Sequence, residues 1–284
     1  MSKREQLLLD LRRIEGNKYT LSEGECRSQY VEVMLQYIGD TDPDLRDELI
    51  YSTFNEWICE KEYFSDNDLL NMLNTLIDEN HLFYHIGNDE DDSVFTRTFS
   101  ILVVVLILIQ HRKSAILDYD RFIEVKNAVI QYYMEERDLR GYIEQYGWAH
   151  GAAHGSDALD ELVQCKESND VILQEILESI KVVLYNEKYL LCNEEDERIA
   201  RVVYRMIKNQ SIPDRLMNNW LEGLSQCCDS EKARKQYVAR VNTKNFIRCL
   251  YFKLIHNQAA KDISNTLLHI EGKLNTFIQI DKDI

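Results

Sequence analysis

Turn-forming residues are scarce in this chain of 284 residues. It has two prolines, Pro43 and Pro213, and ten glycines, which are too few turn signals for a many-stranded sheet. Hydrophobic residues make up 45% of the chain and aromatic residues 10%, a composition that excludes wholesale disorder. The sequence therefore indicates a folded, mainly helical protein.

Basic residues are also in short supply. Lys and Arg total 33 against 49 Asp and Glu, which gives a formal net charge of −16. Because nucleic-acid affinity depends on Lys and Arg displacing counterions from phosphates, we expect no nucleic-acid partner. The basic stretch at 232–248 is interpreted as a solvated helix face.

The chain lacks the cysteine patterns of disulfide frameworks and zinc ribbons. Its seven cysteines are scattered and include no Cys-x-x-Cys pair, so we expect reduced thiols and a cytoplasmic location. A membrane-spanning helix needs about 20 apolar residues, and the longest apolar run, at 99–109, is roughly half that length. We expect this run to be a helix buried in the protein core, and we expect no membrane partner.

Apolar residues spaced three and four apart predict helices along the whole chain. We place these helices at 3–15, 24–38, 43–60, 66–79, 93–112, 118–135, 145–165, 169–185, 194–209, 213–226, 231–255 and 257–279. Short connections favour antiparallel neighbours, and successive pairs recur at roughly 45 residues, near the spacing of HEAT and armadillo repeats. The predicted fold is all-α, with one domain over 1–284 forming an α-α superhelix, a HEAT/armadillo-like stack of antiparallel helix pairs.

The most unusual local sequence is EERDLRGYIEQYGWAHGAAHGSDALDELVQC at 135–165. On a helix over 145–165, one face would carry the four polar side chains of His150, His154, Asp157 and Glu161. The opposite face would carry Trp148 with the apolar residues, and we expect that face to point into the core. Gly151 and Gly155 would lie between the two faces, where the missing side chains let another backbone come close.

Three interpretations of the polar face stay open. Two imidazoles at i and i+4 with a carboxylate at i+7 can direct ligands at one divalent ion, so His150, His154 and Asp157 are a candidate metal site. The spacing is not that of a zincin, because Gly151 stands where its catalytic Glu would be. In the second interpretation His154 and Asp157 form hydrogen bonds and ion pairs to neighbouring helices, with Arg140 or Arg198 as partners. The third is a ligand or peptide site without metal.

Signatures of common enzyme classes are absent from the sequence. The chain has no Gly-rich phosphate loop and no G-x-S-x-G elbow. Cys165 follows the histidine segment, but an isolated cysteine is most often a small core residue, and we interpret it as one.

The segment DLRGYIEQYGWAHGAAHGSDAL at 138–159 resembles the bacterial domain of unknown function 2785 family. Three further blocks support the resemblance in the expected order: PDLRDELIY at 43–51, DSVFTRTFSILVV at 92–104 and EEDERIA at 194–200. The resemblance implies no established activity. It does imply that the family motifs include Asp138, Arg140, Gly141, Trp148, His150, His154, Asp157, Glu195 and Arg198.

The sequence favours a binding or scaffold protein with a polar groove that holds a protein segment or a small ligand. We expect the groove to be formed by Arg140, Trp148, His150, His154, Asp157, Glu161, Glu195 and Arg198. The alternative is a metal-dependent enzyme of the hydrolase class, in which the metal ligands are His150, His154 and Asp157 and the base is Glu161 or Glu135. A bound divalent metal distinguishes the two.

Overall fold

The chain divides into two compact units, Met1–Glu167 and Ser168–Ile284. A computed structural model describes residues 1–228 and 233–278. The division falls in the connection that follows the histidine-rich helix. The prediction of a single domain over 1–284 stays a prediction.

The first unit consists of helices and one short β-hairpin. Its elements are α1 (Lys3–Gly16), α2 (Arg27–Gln36), α3 (Ser52–Asn55), α4 (Asp66–Leu76), α5 (Ser93–Ser114), α6 (Tyr119–Glu135), β1 (Tyr142–Ile143), β2 (Gly147–Trp148) and α7 (Gly151–Gln164). Helix α3 lies between two π-helical segments, Asp44–Tyr51 and Glu56–Glu60. Together these three segments occupy the predicted helix 43–60.

The second unit is helical in all of its described elements. They are α8 (Asp170–Leu184), α9 (Glu195–Lys208), α10 (Asp214–Gly223), a 3-10 turn (Leu224–Cys228), α11 (Ala233–His256) and α12 (Lys261–Leu274). Helices α9 and α12 both pack against α11. The first two residues of the predicted helix 231–255 and the last residue of 257–279 lie outside the described residues.

Side-chain caps explain why several helices begin where they do. Ser65 accepts a hydrogen bond from the backbone N–H of Asp68, whose carboxylate accepts from the N–H of Ser65 in return, which forms a capping box. Asp118 caps α6 and Asn169 caps α8 in the same way, through a side-chain oxygen. The start of the predicted helix after Ser65 is therefore confirmed.

Helix α5 is the central helix of the first unit. Its most apolar 18-residue window has a mean hydropathy of 2.0, and 89% of that window is buried inside the protein. By length and composition the helix is apolar enough to cross a membrane, but a helix buried on all sides is typical of the core of a soluble protein. The prediction that 99–109 is a buried core helix is confirmed.

The all-α fold class is confirmed. Helix accounts for 68% of the residues that the structure describes, and the only sheet among residues 1–228 and 233–278 is the two-stranded hairpin. Within each unit helices pack against neighbours along the sequence, such as α6 on α7 and α11 on α12, as in an α-α superhelix. The closer likeness to HEAT repeats stays a prediction.

The predicted helix 145–165 is wrong over its first six residues. Helix α7 begins at Gly151, and the chain before it forms an antiparallel hairpin in which Tyr142 pairs with Trp148. Gln145 has a φ of 78° and His150 a φ of 51°, both in the left-handed region. A right-handed helix cannot continue through such residues, so α7 cannot extend back past His150.

Helices α6 and α7 come together at Gly155. A Cβ atom at this position would lie 2.3 Å from Cδ2 of Tyr133, a buried residue of α6. The Tyr133 hydroxyl lies 2.9 Å from Oγ of Ser156, which fixes the ring over the glycine. At Gly151 a Cβ atom would lie 3.0 Å from the backbone oxygen of Asp138. The close approach of another backbone is therefore confirmed at Gly151, whereas at Gly155 the neighbour is the Tyr133 side chain.

We expect the substitution Gly155→Ala to lower the free energy of unfolding by about 1–3 kcal/mol, because the added methyl group forces the buried Tyr133 ring to move. Gly16→Ala is the matched control, since Gly16 ends a helix of the same unit and has open space around it. Chemical denaturation of the two variants tests this. Equal stability of Gly155→Ala and the parent would show that the ring moves freely.

Candidate recognition site

In the segment 138–159, which we refer to as the motif, the two histidines are buried and the tryptophan is exposed. His150 and His154 are 7% and 6% exposed, whereas Trp148 is 40% exposed. The expectation that Trp148 points inward and the histidines outward is therefore wrong. The reason is the hairpin: Trp148 lies on β2 and His150 precedes α7, so neither follows the helical periodicity assumed for them.

His150 packs against the exposed tryptophan. Its imidazole stacks on the Trp148 indole, with ring centroids 4.2 Å apart and an interplanar angle of 18°. The left-handed backbone of His150 places the side chain beneath the hairpin. A non-glycine residue held in this conformation costs roughly 1–2 kcal/mol, and the stack on Trp148 is a contact that offsets part of that cost.

His154 is anchored to the central helix. Its Nδ1 lies 3.2 Å from the backbone oxygen of Thr98, and its ring meets the Phe99 ring edge to face at 5.5 Å. Because a carbonyl oxygen can only accept, Nδ1 carries the proton and Nε2 is the basic nitrogen of the neutral ring. Metal-binding histidines usually have the same arrangement. The His150 and His154 ring centroids are 5.6 Å apart.

The other predicted site residues are dispersed. Asp157 is half-buried on α7, and Glu161 forms an ion pair with Arg112 of α5. Glu195 and Arg198 belong to α9 of the second unit. Glu195 is buried and accepts from the N–H of Asn193 at 2.7 Å, and burial raises its pKa. The convergence of these second-unit residues with those of the first unit stays a prediction.

Arg140 binds Asp138, two residues before it. The Arg140 Nε lies 2.7 Å from Oδ1 of Asp138, and Nη2 donates to the backbone oxygen of Asp91 at 2.9 Å. Asp138 is fully buried, and its Oδ2 accepts from the N–H of Glu90 at 3.0 Å. These bonds hold the chain before the hairpin against the loop before α5.

A buried ion pair lies beneath this network. Arg97 of α5 is completely buried and binds Glu136 through two parallel bonds, Nε to Oε2 at 2.7 Å and Nη2 to Oε1 at 2.8 Å. Arg97 Nη1 also donates to Oγ of Ser93 at 2.7 Å and to the backbone oxygen of Tyr84 at 3.0 Å. Burial raises the pKa of Glu136, and the guanidinium of Arg97 opposes that shift. Bidentate geometry of this kind is the strongest form of the pair.

Arg46 fixes the hairpin turn. Its guanidinium lies between two rings, 4.1 Å from the centroid of Phe95 and 4.7 Å from that of Phe99. Its Nη2 donates to the backbone oxygen of Tyr146 at 2.7 Å. The neighbouring Asp47 carboxyl lies 2.7 Å from Arg46 Nε, and burial raises its pKa to about 6. A fully buried cation therefore holds the hairpin backbone in place.

The hairpin presents aromatic side chains to solvent. Tyr142, Tyr146 and Trp148 are 57%, 38% and 40% exposed, and we refer to residues 142–148 as the aromatic hairpin. The Tyr142 and Trp148 rings meet at 74° with centroids 4.9 Å apart. The helix prediction missed this element, although Gly141 and Gly147, which flank residues 142–146, are a hairpin signal. Tyr142 and Tyr146 were not among the predicted site residues.

The only set of three metal-donor side chains within 4.8 Å of one another, in the part of the chain that the structure describes, is His111, Cys165 and Glu167. His111 Nδ1 accepts from the N–H of Leu117 at 3.1 Å, so the proton is on Nε2, which lies 3.3 Å from Glu167. A protonated nitrogen cannot bind a metal. Burial raises the pKa of the Cys165 thiol to about 12, which opposes the thiolate that a metal requires. We therefore interpret this cluster as a hydrogen-bonded contact between α5 and the chain that follows α7.

These features define an all-α protein in which a buried polar network supports an exposed β-hairpin. The family model described as Protein of unknown function (DUF2785) matches residues 82–252, and the chain belongs to that family. The matched region runs from before α5 to near the end of α11 and includes the whole hairpin. No curated protein and no solved structure matches the chain.

We expect the substitution Glu136→Gln to lower the free energy of unfolding by about 3–5 kcal/mol, because it leaves the Arg97 charge buried without its partner. Glu62→Gln is the control: it removes the same charge from an exposed pair with Lys113, in which the side chains are 60% and 50% exposed. Surface pairs contribute about 0–1 kcal/mol. Urea denaturation of both variants checks the contrast, and similar losses would contradict it.

Elemental analysis of untagged protein tests the prediction that His150, His154 and Asp157 bind a metal ion. If these side chains hold an ion, the parent contains about one equivalent of Zn, Mn or Fe, and a His150→Ala, His154→Ala double variant contains none. A His81→Ala, His85→Ala variant is the control, since these two histidines lie outside the motif. Metal-free parent protein would contradict the prediction.

Proposed function

We propose that this protein is a non-catalytic binding protein that recognises a basic protein segment through its aromatic hairpin. The observation that carries the proposal is the exposure of Trp148, whose indole is 40% exposed although it is held by two other rings. A tryptophan in such a position is a favourable anchor for a partner, because Trp and Tyr dominate the binding energy of protein interfaces.

The surrounding polar residues support this assignment by what they hold in place. Arg46 fixes the turn backbone, Asp138 and Arg140 fix the chain before β1, and His150 supports the indole. Rings that are already ordered lose little conformational entropy when a partner binds. The motif therefore serves to build a rigid surface, and recognition falls to the exposed rings.

The charge of the protein indicates what kind of segment fits. The chain has a net charge of −16, and the exposed Glu144 lies in the turn between the two aromatic strands. A negative surface attracts cationic partners. Arg and Lys side chains also bind the faces of Trp and Tyr through cation–π contacts of about 0.5–2 kcal/mol. A segment rich in Arg and Lys satisfies both conditions.

A metal-dependent enzyme is the second candidate. It is supported by the protonation of His154, whose Nδ1–H bond to Thr98 makes Nε2 the coordinating nitrogen, and by the nearby His150 ring. Both imidazoles are at least nine-tenths buried, which restricts the access of a substrate. The exposed hairpin needs no such access, and for this reason we favour the binding protein.

A cytoplasmic location and a HEAT-like repeat architecture are parts of the same proposal. Free cysteines Cys26 and Cys192 are exposed, as suits a reducing compartment. Stacked helix pairs are common scaffolds for peptide recognition. The scaffold role then consists of presenting the hairpin on a rigid helical base.

The test is a peptide array that contains Arg- and Lys-rich segments and their Gln-substituted counterparts. We expect the parent to bind a subset of the basic peptides, and Trp148→Ala to bind them at least tenfold more weakly. Binding to the parent can also be followed in solution by tryptophan fluorescence, because Trp57 and Trp220 are buried and Trp148 is not, whereas the affinity of Trp148→Ala is measured on the array.

Tyr119→Ala is the control for this test, because Tyr119 is 55% exposed in the same unit and lies outside the hairpin. We expect it to bind like the parent. Unchanged affinity of Trp148→Ala, or equal binding of the Gln-substituted peptides, would contradict the proposal. Binding that falls as salt rises would agree with the charge argument.

A further inference from the structure

A cleft in the first unit is separate from the aromatic hairpin. It has a volume of about 920 Å³, within the range of pockets that hold small organic molecules. Residues of α2 and α4 line it, together with Thr96 of α5. Thr96 is the only residue between Ser93 and Leu108 that is not buried, so the cleft reaches the otherwise enclosed central helix.

The two ends of the cleft are defined by contacts. At one end Arg27, the first residue of α2, donates from Nη1 to the backbone oxygen of Tyr63 at 3.2 Å. At the other end Gly39 packs so tightly on Thr96 that a Cβ atom would lie 2.0 Å from its Oγ1. Helix α2 spans this distance over Arg27–Gln36, about 14 Å at 1.5 Å per residue. The cleft is therefore elongated.

The lining changes character along the cleft. Its middle is apolar, with Val31, Leu35, Ile38 and Met72. The end near Thr96 carries the hydrogen-bonding side chains of Asn80, His81 and Tyr84. The end near Tyr63 carries Arg27. Two carboxylates also line the cleft: Asp68, which is bonded to Ser65 in the α4 capping box, and Glu32, which is exposed.

Arg27 differs from the other arginines of its unit. Residues 1–167, all of which the structure describes, contain ten arginines, and eight of them form ion pairs with carboxylates: Arg4, Arg12, Arg13, Arg46, Arg97, Arg112, Arg121 and Arg140. The two exceptions are Arg137, which is exposed, and Arg27, which is half-buried. Arg27 is thus the one arginine of this unit that lines the cleft and forms no ion pair with a carboxylate.

The remaining contacts of Arg27 orient its guanidinium without neutralising it. The group lies 4.4 Å from the centroid of the Tyr63 ring. Its Nε is buried and has no hydrogen-bond partner among the described residues. A buried donor without a partner is costly, and a planar guanidinium matches a carboxylate through two parallel bonds. An anion in the cleft would satisfy both the charge and the donor.

We propose that this cleft binds a small amphipathic organic carboxylate, with the carboxylate on Arg27 and the apolar body along Val31, Leu35 and Met72. The site is independent of the aromatic hairpin, since no residue of 142–148 lines it. The polar side chains beyond the apolar stretch select ligands that carry a hydrogen-bonding group at their far end.

Decanoate is the probe, and isothermal titration calorimetry is the measurement. We expect saturable binding of one decanoate to the parent, and binding at least tenfold weaker to Arg27→Gln. Arg137→Gln is the matched control, because it removes the other unpaired arginine of the unit, and it should bind like the parent. Decanol, which has no charge, should bind the parent and Arg27→Gln equally.

A second variant and a second readout locate the bound molecule. Val31→Trp fills the apolar middle and should abolish decanoate binding with Arg27 intact. Cys26 lines the same cleft and is exposed, and its hydrogen bonds with Ser28 lower its thiol pKa, so iodoacetamide should label it readily. Saturating decanoate should slow this labelling and leave the exposed Cys192 unaffected.

Three outcomes would overturn the proposal: no saturable binding of decanoate to the parent, equal affinity of Arg27→Gln and the parent, or undiminished binding by Val31→Trp. Circular dichroism spectra that match the parent show that each variant is folded. Loss of basic-peptide binding in Trp148→Ala with normal decanoate binding would confirm that the cleft and the hairpin are separate sites.

Discussion

The buried pair of Arg97 and Glu136 is the interaction on which the site depends. It joins the central helix α5 to the chain that leaves α6, at a point where both side chains are shielded from water. An isolated charge cannot be kept in such a place, so the two residues require each other. Once Glu136 is fixed, it also accepts from the N–H of Asp138 at 2.9 Å, and the segment that leads to the hairpin is ordered in turn.

The polar residues of the motif therefore have a different role from the one that their residue types indicate. Histidine, aspartate and arginine close together in sequence are typical of metal or catalytic sites. Here Asp138 and Arg140 bind each other and nearby backbone, and His154 donates to a carbonyl of α5. Their polar groups are used to hold backbone that is neither helix nor extended sheet. The aromatic rings of the hairpin remain exposed at the surface.

The excess of acidic residues has a second consequence for the first unit. With more carboxylates than cations, nearly every arginine there has found a carboxylate partner. An arginine without one therefore stands out, as Arg27 does beside its cleft. The same excess, with the exposed Glu144 in the hairpin turn, supports the proposal of a cationic partner for the aromatic hairpin. The same acidic composition thus supports an anionic ligand for the Arg27 cleft and a cationic partner for the aromatic hairpin.

Much of the fold follows from the sequence, because helix periodicity and caps act over a few residues. The apolar run at 99–109, the cap at Ser65 and the close backbone approach at Gly151 were all indicated by local sequence patterns, and the structure has each of them. The exposure of Trp148 and the burial of His150 are different. They depend on Arg46, about 100 residues away, donating to the hairpin turn, and on Arg97 pairing with Glu136. Contacts between such distant residues form only when the helices pack, so tertiary structure alone decided which side of the motif faces solvent.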